Sequence, residues 1–227
     1  MTLARVYPIV ESAAWVARLL PLGVQLIQLR IKQQSDAHLR REITAARALC
    51  AGAGAQLVVN DYWQLALELH CGWVHLGQGD LDGADLPALR GAQVRIGIST
   101  HDTAELTRAL ACSPDYVALG PIYPTLLKQM PWAPQGLARL TEWKQQLRGT
   151  PLVAIGGLTA ERLAGVFAAG ADSAAVVTDI VRHHEPEQRM CEWLIAAGEP
   201  GAVATVTAGA VTDGGTTRAS APRTSAR

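Results

Sequence analysis

Gln28, Arg30 and Lys32 stand at alternate positions in the run Leu26 to Lys32, with Ile27, Leu29 and Ile31 on the other face of the same strand. Successive strand side chains point to opposite faces, so one face carries an amide and two cations while the other is apolar. A parallel strand buried on both sides reads apolar throughout. Such a polar line therefore faces an anion or an acidic partner, unless the strand is an antiparallel one wetted on one side. Polar residues recur at the ends of later apolar runs: Asn60-Asp61, His75 to Asp80 (HLGQGD), Gly97 to His101 with Ser99 inside it, Gly120-Pro121 leading to Thr125 and Lys128, Gly156-Gly157, and Val177-Thr178.

Asp61 and Asp80 end neighbouring runs. Taken singly, each reads as the cap of a following helix. Taken together beside cations, they suit Mg²⁺, which accepts one or two carboxylates, keeps waters and binds phosphate oxygens. Arg30, Lys32, Ser99 and Lys128 would give charge-assisted donors around one anion, and with Mg²⁺ they could hold a diphosphate. A second anion site is expected at Gly156-Gly157 and Val177-Thr178, where glycine lets backbone N–H groups approach a phosphate. Two such sites imply two small-molecule phosphorylated substrates. His75 and His101 lack a second ligand or base at a diagnostic spacing and read as packing or hydrogen-bonding residues, and His183-His184 as solvated loop.

The elements that must position these groups alternate. Strand-like runs occur at Arg5 to Val10, Leu26 to Lys32, Gln56 to Asp61, Trp73 to Gly77, Arg95 to Thr100, Tyr116 to Gly120, Leu152 to Gly157 and Ala174 to Thr178. Helical spacing fills segments between them, including Asp36 to Cys50, Thr103 to Ala111, Leu137 to Leu147 and Ala160 to Ala169, with Ser35, Asp102 and Thr159 as caps. Strict alternation demands a parallel sheet with helical crossovers, and eight units close most economically into an α/β (β/α)8 TIM barrel. A doubly wound open sheet is the alternative, but no G-x-G-x-x-G follows the first strand.

The 227 residues fit one such barrel, with a catalytic domain over 1–197. Residues 198–227 are rich in Gly, Ala, Thr and Ser with almost no large apolar side chain, which predicts a disordered tail. With 20 Lys plus Arg against 20 Asp plus Glu, no global field recommends nucleic acid or an anionic membrane. No apolar run reaches the ~18 residues of a membrane span, and Met1 to Leu20 lacks the continuous apolar region of a signal peptide. Four scattered cysteines, with no C-x-x-C, fit reduced thiols in a cytoplasmic protein that could form homo-oligomers.

In combination, QLRIK at 28 to 32, ND at 60 to 61, HLGQGD at 75 to 80, GISTH at 97 to 101, GPIYPT at 120 to 125 with Lys128, and IGG at 155 to 157 resemble the thiamine phosphate synthases. The resemblance runs from about Val6 to Leu194. It implies a TIM barrel transferase that joins 4-amino-2-methyl-5-(diphosphooxymethyl)pyrimidine to 4-methyl-5-(2-phosphooxyethyl)thiazole, releasing diphosphate. It assigns the pyrimidine diphosphate to Gln28, Leu29, Arg30, Ile31, Lys32, Asn60, Ser99 and Lys128, with Arg30, Lys32, Ser99 and Lys128 stabilising the leaving group. Mg²⁺ falls to Asp61 and Asp80, and the thiazole phosphate to Thr125, Leu126, Leu127, Gly157, Val177 and Thr178. One departure stands out: the family's usual T-x-T-K reads Thr125-Leu126-Leu127-Lys128 here, so a hydroxyl is absent at Leu127. Rival readings are a thiazole tautomerase-like relative, a non-catalytic phosphate-ligand barrel and another phosphate-binding barrel isomerase.

Overall fold

The apolar runs become the staves of a closed parallel barrel in a computed structural model that describes residues 3–125 and 133–199. Strands β1 (Val6–Val10), β2 (Leu26–Leu29), β3 (Gln56–Asn60), β4 (Trp73–Leu76), β5 (Arg95–Thr100), β6 (Tyr116–Leu119), β7 (Leu152–Ile155) and β8 (Ser173–Val176) pair in sequence order, and β8 closes on β1. Helices cover the outside: α1 (Ala13–Leu19), α2 (Asp36–Ala53), α3 (Trp63–Glu68), α4 (Leu86–Gly91), α5 (Thr103–Ala111), α6 (Gly136–Gln146), α7 (Leu163–Ala168), α8 (Thr178–Val181) and α9 (Pro186–Ala197). The open-sheet alternative is thereby excluded.

Each strand buries both faces, and the two faces differ in kind. Ile27, Leu29, Val59, Val74, Ile96, Ile98, Val117 and Leu119 point outward into a continuous apolar layer under the helices. The inward set is Tyr7, Ile9, Leu26, Val58, Trp73, Tyr116, Ala118, Val153 and Ala175. Interior side chains of a barrel fill its centre in layers. Here the aromatic rings of Tyr7, Trp73 and Tyr116 occupy much of that volume, with ring centroids 6.0 and 6.1 Å from Tyr116. Gly97 makes this packing possible, because a Cβ there would lie 2.0 Å from Cζ of Tyr116.

The expected caps hold at two of three helices. Ser35 Oγ accepts from His38 N–H at 3.3 Å and Asp102 Oδ1 from Glu105 N–H at 2.9 Å. Thr159 stands at the cap position with extended backbone but makes no capping bond; its hydroxyl serves the Glu161 carboxylate instead. The segment expected as one helix from Ala160 is accordingly a 3-10 turn, Ala160–Arg162, running into α7. Strand β2 stops at Leu29, short of the expected Lys32, although the Arg30 N–H still donates to Val10 O at 2.8 Å. Helix α9 closes at Gly198, which has φ +72. Of the expected tail, residues 200–227 lie outside the described residues.

Candidate active site

The alternation in the QLRIK stretch is realised. Ile27, Leu29 and Ile31 are buried outward, Gln28 points into the barrel, and Arg30 and Lys32 are exposed at its C-terminal mouth. Asn60, the last residue of β3, pairs in register with His75 and is only 4% exposed, yet its Nδ2 has no hydrogen-bond partner among the described residues. A buried N–H group without an acceptor is costly in a finished core and ordinary where a ligand completes the site.

Asp61 follows directly, held at φ +64 with its N–H donating to His75 O at 2.9 Å. Strain of this kind gathers at functional sites. Its carboxyl lies near enough to that of Asp80 for the two to interact directly. Burial first, then the charge and proximity of Asp80, push the Asp61 carboxyl above the usual range, and Arg30 and Lys32 pull it partly back. Neither aspartate caps a helix. Helix α3 is preceded by Tyr62 with no side-chain cap, and α4 is capped by Asp85, whose Oδ1 accepts from Ala88 N–H at 2.9 Å. Asp80 Oδ2 instead accepts from Gly77 N–H at 2.8 Å, folding HLGQGD back over the mouth. Gln78 Nε2 reaches Ser99 O at 2.7 Å and leaves Oε1 buried without a partner among the described residues.

Below this rim a chain of polar groups crosses the barrel. Gln28 Nε2 donates to Tyr7 Oη at 2.8 Å, Tyr7 Oη lies 2.9 Å from Tyr116 Oη, Tyr116 Oη lies 2.8 Å from His75 Nδ1, and His75 Nε2 lies 2.7 Å from Ser99 Oγ. Burial lifts both tyrosine hydroxyls well above their ordinary pKa. Burial, with a smaller effect from the Arg30 charge, pushes the His75 imidazole down to about 4, so the ring is neutral near pH 7.

Across the mouth, a cavity of about 300 Å³ opens between the ends of β7 and β8, lined by Thr125, Gly157, Thr178, Arg162, Arg182 and His183 among others. Gly157 has φ +65, and a Cβ on it would meet Pro124 O at 2.5 Å, so only glycine lets this loop close. Asp179 also lines the cavity; its Oδ2 is held by Arg189 Nε at 2.8 Å and Trp193 Nε1 at 2.7 Å. Those two donors offset a negative charge that would otherwise repel an anion. Val177 precedes Thr178 at the end of β8. Leu126, Leu127 and Lys128 lie outside the described residues.

A sequence profile for the family described as thiamine monophosphate synthase matches residues 6–180. The chain belongs to that family. Over 196 residues it is 57% identical to the thiamine-phosphate synthase of Rhizobium etli, covering 86% of this chain and 96% of that one. Over 192 residues it is 49% identical to the thiamine-phosphate synthase of Klebsiella pneumoniae, covering 85% and 91%. Among solved structures, a thiamine phosphate pyrophosphorylase from Pyrococcus furiosus superposes with a TM-score of 0.76 at 24% identity, covering 86% of this chain and 96% of that one, a likeness of fold.

The family match spans every strand of the barrel and the residues gathered at its mouth. Gln28, Arg30, Lys32, Asn60, Asp61, Asp80 and Ser99 come together on one side, and Thr125, Gly157 and Thr178 line the cavity on the other. Sequence reasoning missed Tyr7 and Tyr116, whose hydroxyls sit inside apolar runs, and missed Arg162 and Arg182 at the cavity. It also set His183 in solvent, whereas the ring is half-buried at the cavity wall; His184 is exposed as expected. The cavity arginines had a signal available: each lies a few residues beyond a strand end that was already singled out.

Proposed function

We propose that this chain is a transferase that joins 4-amino-2-methyl-5-(diphosphooxymethyl)pyrimidine to 4-methyl-5-(2-phosphooxyethyl)thiazole, giving thiamine phosphate and diphosphate. The observation that carries this reading is the meeting of Arg30, Lys32, Asp61 and Asp80 at one rim, beside a buried Asn60 amide with no partner among the described residues. Family membership makes the reaction class specific.

In this reading Asn60 and Gln28 hold the aminopyrimidine in the barrel mouth. Arg30, Lys32, Ser99 and the sequence-assigned Lys128 surround the diphosphate. As the C–O bond to the diphosphate breaks, its electron pair leaves with the oxygen, and these donors meet charge that is larger in the transition state than in the ground state. Backbone N–H groups at Gly157 and the Val177-Thr178 turn, with Thr125, Leu126 and Leu127, hold the thiazole phosphate so that the ring nitrogen faces the methylene carbon. The nitrogen lone pair forms the new C–N bond, and no proton need move. This matches a site built from cations and hydrogen-bond donors around its carboxylate pair.

The carboxylate pair fits a hard divalent cation, because Asp61 and Asp80 present oxygen donors near enough to interact directly. Among the described residues no cluster of three or more His, Cys, Asp or Glu side chains forms a metal cage; Mg²⁺ bound partly through water and substrate phosphate needs none. Asp61 and Asp80 would hold Mg²⁺, which when bound supplies positive charge to a departing diphosphate.

We assign catalysis to residues 1–197 and treat 198–227 as an appended tail in a cytoplasmic enzyme. No helix of the described residues is long and apolar enough to cross a membrane. Incubating the protein with Mg²⁺ and both substrates, with thiamine phosphate followed chromatographically, tests the reading. Absence of product, or product formed without the thiazole substrate, would reject it.

A further inference from the structure

The hydroxyl chain through the barrel centre has a direction, and that direction reaches the mouth. In the structure the Gln28 amide donates through Nε2 to Tyr7 Oη at 2.8 Å. Tyr7 and Tyr116 are each about 1% exposed or less, and each has a single O–H proton. If the Tyr7 O–H donates to Tyr116, the Tyr116 O–H is left to donate to His75 Nδ1. A neutral imidazole accepting at Nδ1 carries its proton on Nε2. That N–H then donates to Ser99 Oγ at 2.7 Å. The Ser99 hydroxyl then has an acceptor position filled by that N–H, and its own proton is left to point away from the imidazole, toward the barrel mouth.

The opposite polarity strands a proton. Were Tyr116 to donate to Tyr7, the Tyr7 oxygen would accept twice and its own buried O–H would need an acceptor that neither Gln28 Nε2 nor Tyr116 supplies. Only turning the Gln28 amide over, so that its oxygen faces Tyr7, would reverse every donor and leave Ser99 donating to His75.

We propose that His75 is a positioning residue: the buried chain Gln28–Tyr7–Tyr116 fixes it as the Nε2–H tautomer, and His75 in turn fixes the Ser99 hydroxyl as a donor to the substrate. This rests on the reading that Ser99 meets the substrate diphosphate, and it adds what makes that hydroxyl a donor at every encounter. Without the chain, the Ser99 rotor is divided between donating to the imidazole and donating outward.

The test has two arms. In the first, long-range ¹H–¹⁵N spectra of the ¹⁵N-His-labelled full chain near pH 7.5, without substrates, report the His75 tautomer; Nε2–H is expected, and Nδ1–H overturns the proposal whatever the enzyme assay gives. In the second, His75→Leu is expected to lower kcat ten- to thirtyfold with KM for the pyrimidine within about twofold. His75→Gln, whose amide N–H can stand where Nε2–H stood, should recover most of that loss. Adding Ser99→Ala to His75→Leu should cost little more, because the two act as one unit.

Should His75→Leu fail to fold, Tyr116→Phe removes one oxygen only and should yield a mixed tautomer with a smaller fall in kcat. Unchanged kcat in both His75→Leu and Tyr116→Phe, or a fully additive double variant, overturns the proposal. A wild-type chain that makes no thiamine phosphate defeats the functional reading, while the tautomer arm still decides the geometry.

Discussion

Replacing Asp80 by asparagine tests the carboxylate pair with little disturbance of its surroundings. The amide keeps an oxygen where Asp80 Oδ2 accepts from Gly77 N–H at 2.8 Å, so the HLGQGD turn should hold. Two consequences follow from the geometry. Asp61 loses the neighbouring charge that raises its pKa, so its carboxyl ionises more readily in the metal-free protein. The cation loses one of its two protein carboxylates. A ligand at a hundred times its Kd stabilises the folded state by about 2.7 kcal/mol, and a chain of this length gains about 2–4 °C in Tm per kcal/mol. Saturating Mg²⁺ should therefore raise the wild-type Tm by about 5–10 °C. In Asp80→Asn the same Mg²⁺ should raise it by less than about 1–2 °C, with turnover down about a hundredfold or more. Thermal melts with and without Mg²⁺ read the first effect and thiamine phosphate formation the second. A variant that keeps both its Mg²⁺ shift and its turnover would refute the assignment, since no other described carboxylate is paired with Asp61.

Other substitutions reach different parts of the molecule. Gly97→Ala places a Cβ 2.0 Å from the Tyr116 ring and should cost about 1–3 kcal/mol in urea unfolding; an unchanged midpoint would mean the ring has room to move. Leu127→Thr restores the family's hydroxyl, and with a bond to a charged group worth about 1.5–3 kcal/mol the KM for the thiazole phosphate should fall by tenfold or more; an equal or higher KM would show that the arginines of the cavity already satisfy the phosphate. His75 protonates near 6.5 when unfolded but near 4 in the native barrel, so its contribution is complete above pH 6.5 and declines as the pH falls toward 4, by about 3 kcal/mol in all. The stability gap between wild type and His75→Gln should narrow by about 2.4 kcal/mol between pH 7 and 4.5, and parallel curves would contradict it. Ending the chain after Glu199, whose Oε1 accepts from Arg5 N–H, should leave kcat within about twofold of the full chain; a large loss would bring the tail into the enzyme.

The barrel was legible because its strands are buried on both faces and its connections are long. Apolar runs of four to six residues, separated by capped helical segments, leave almost no topology other than a closed parallel sheet. Thr103–Ala111 has the bounds its cap and spacing predict. The shortest helices escaped notice, because α3 and α4 have six residues each and α8 four, too few to show a period of 3.6. The Thr159 hydroxyl is turned to donate to the Glu161 carboxylate and makes no capping bond.

The site divides along the same line. Residues at strand ends were legible, since in a barrel all C-terminal strand ends share one face, so Arg30, Asp61, Asp80 and Ser99 had to meet if the strands were placed correctly. The hydroxyl chain was not legible, because VYPIV and YVALG read as core, and Tyr7 and Tyr116 are 109 positions apart. A tyrosine in an inward strand position must still find a partner for its O–H. Once the barrel was inferred, three polar side chains were therefore unaccounted for in its interior, Tyr7, Tyr116 and His75, and each could be satisfied most simply by the others. The interior of this barrel is thus packed by the same atoms that orient its mouth. A substitution deep in the core, such as Tyr7→Phe, should therefore alter kcat through Ser99 before it alters the melting temperature by more than about 3–6 °C.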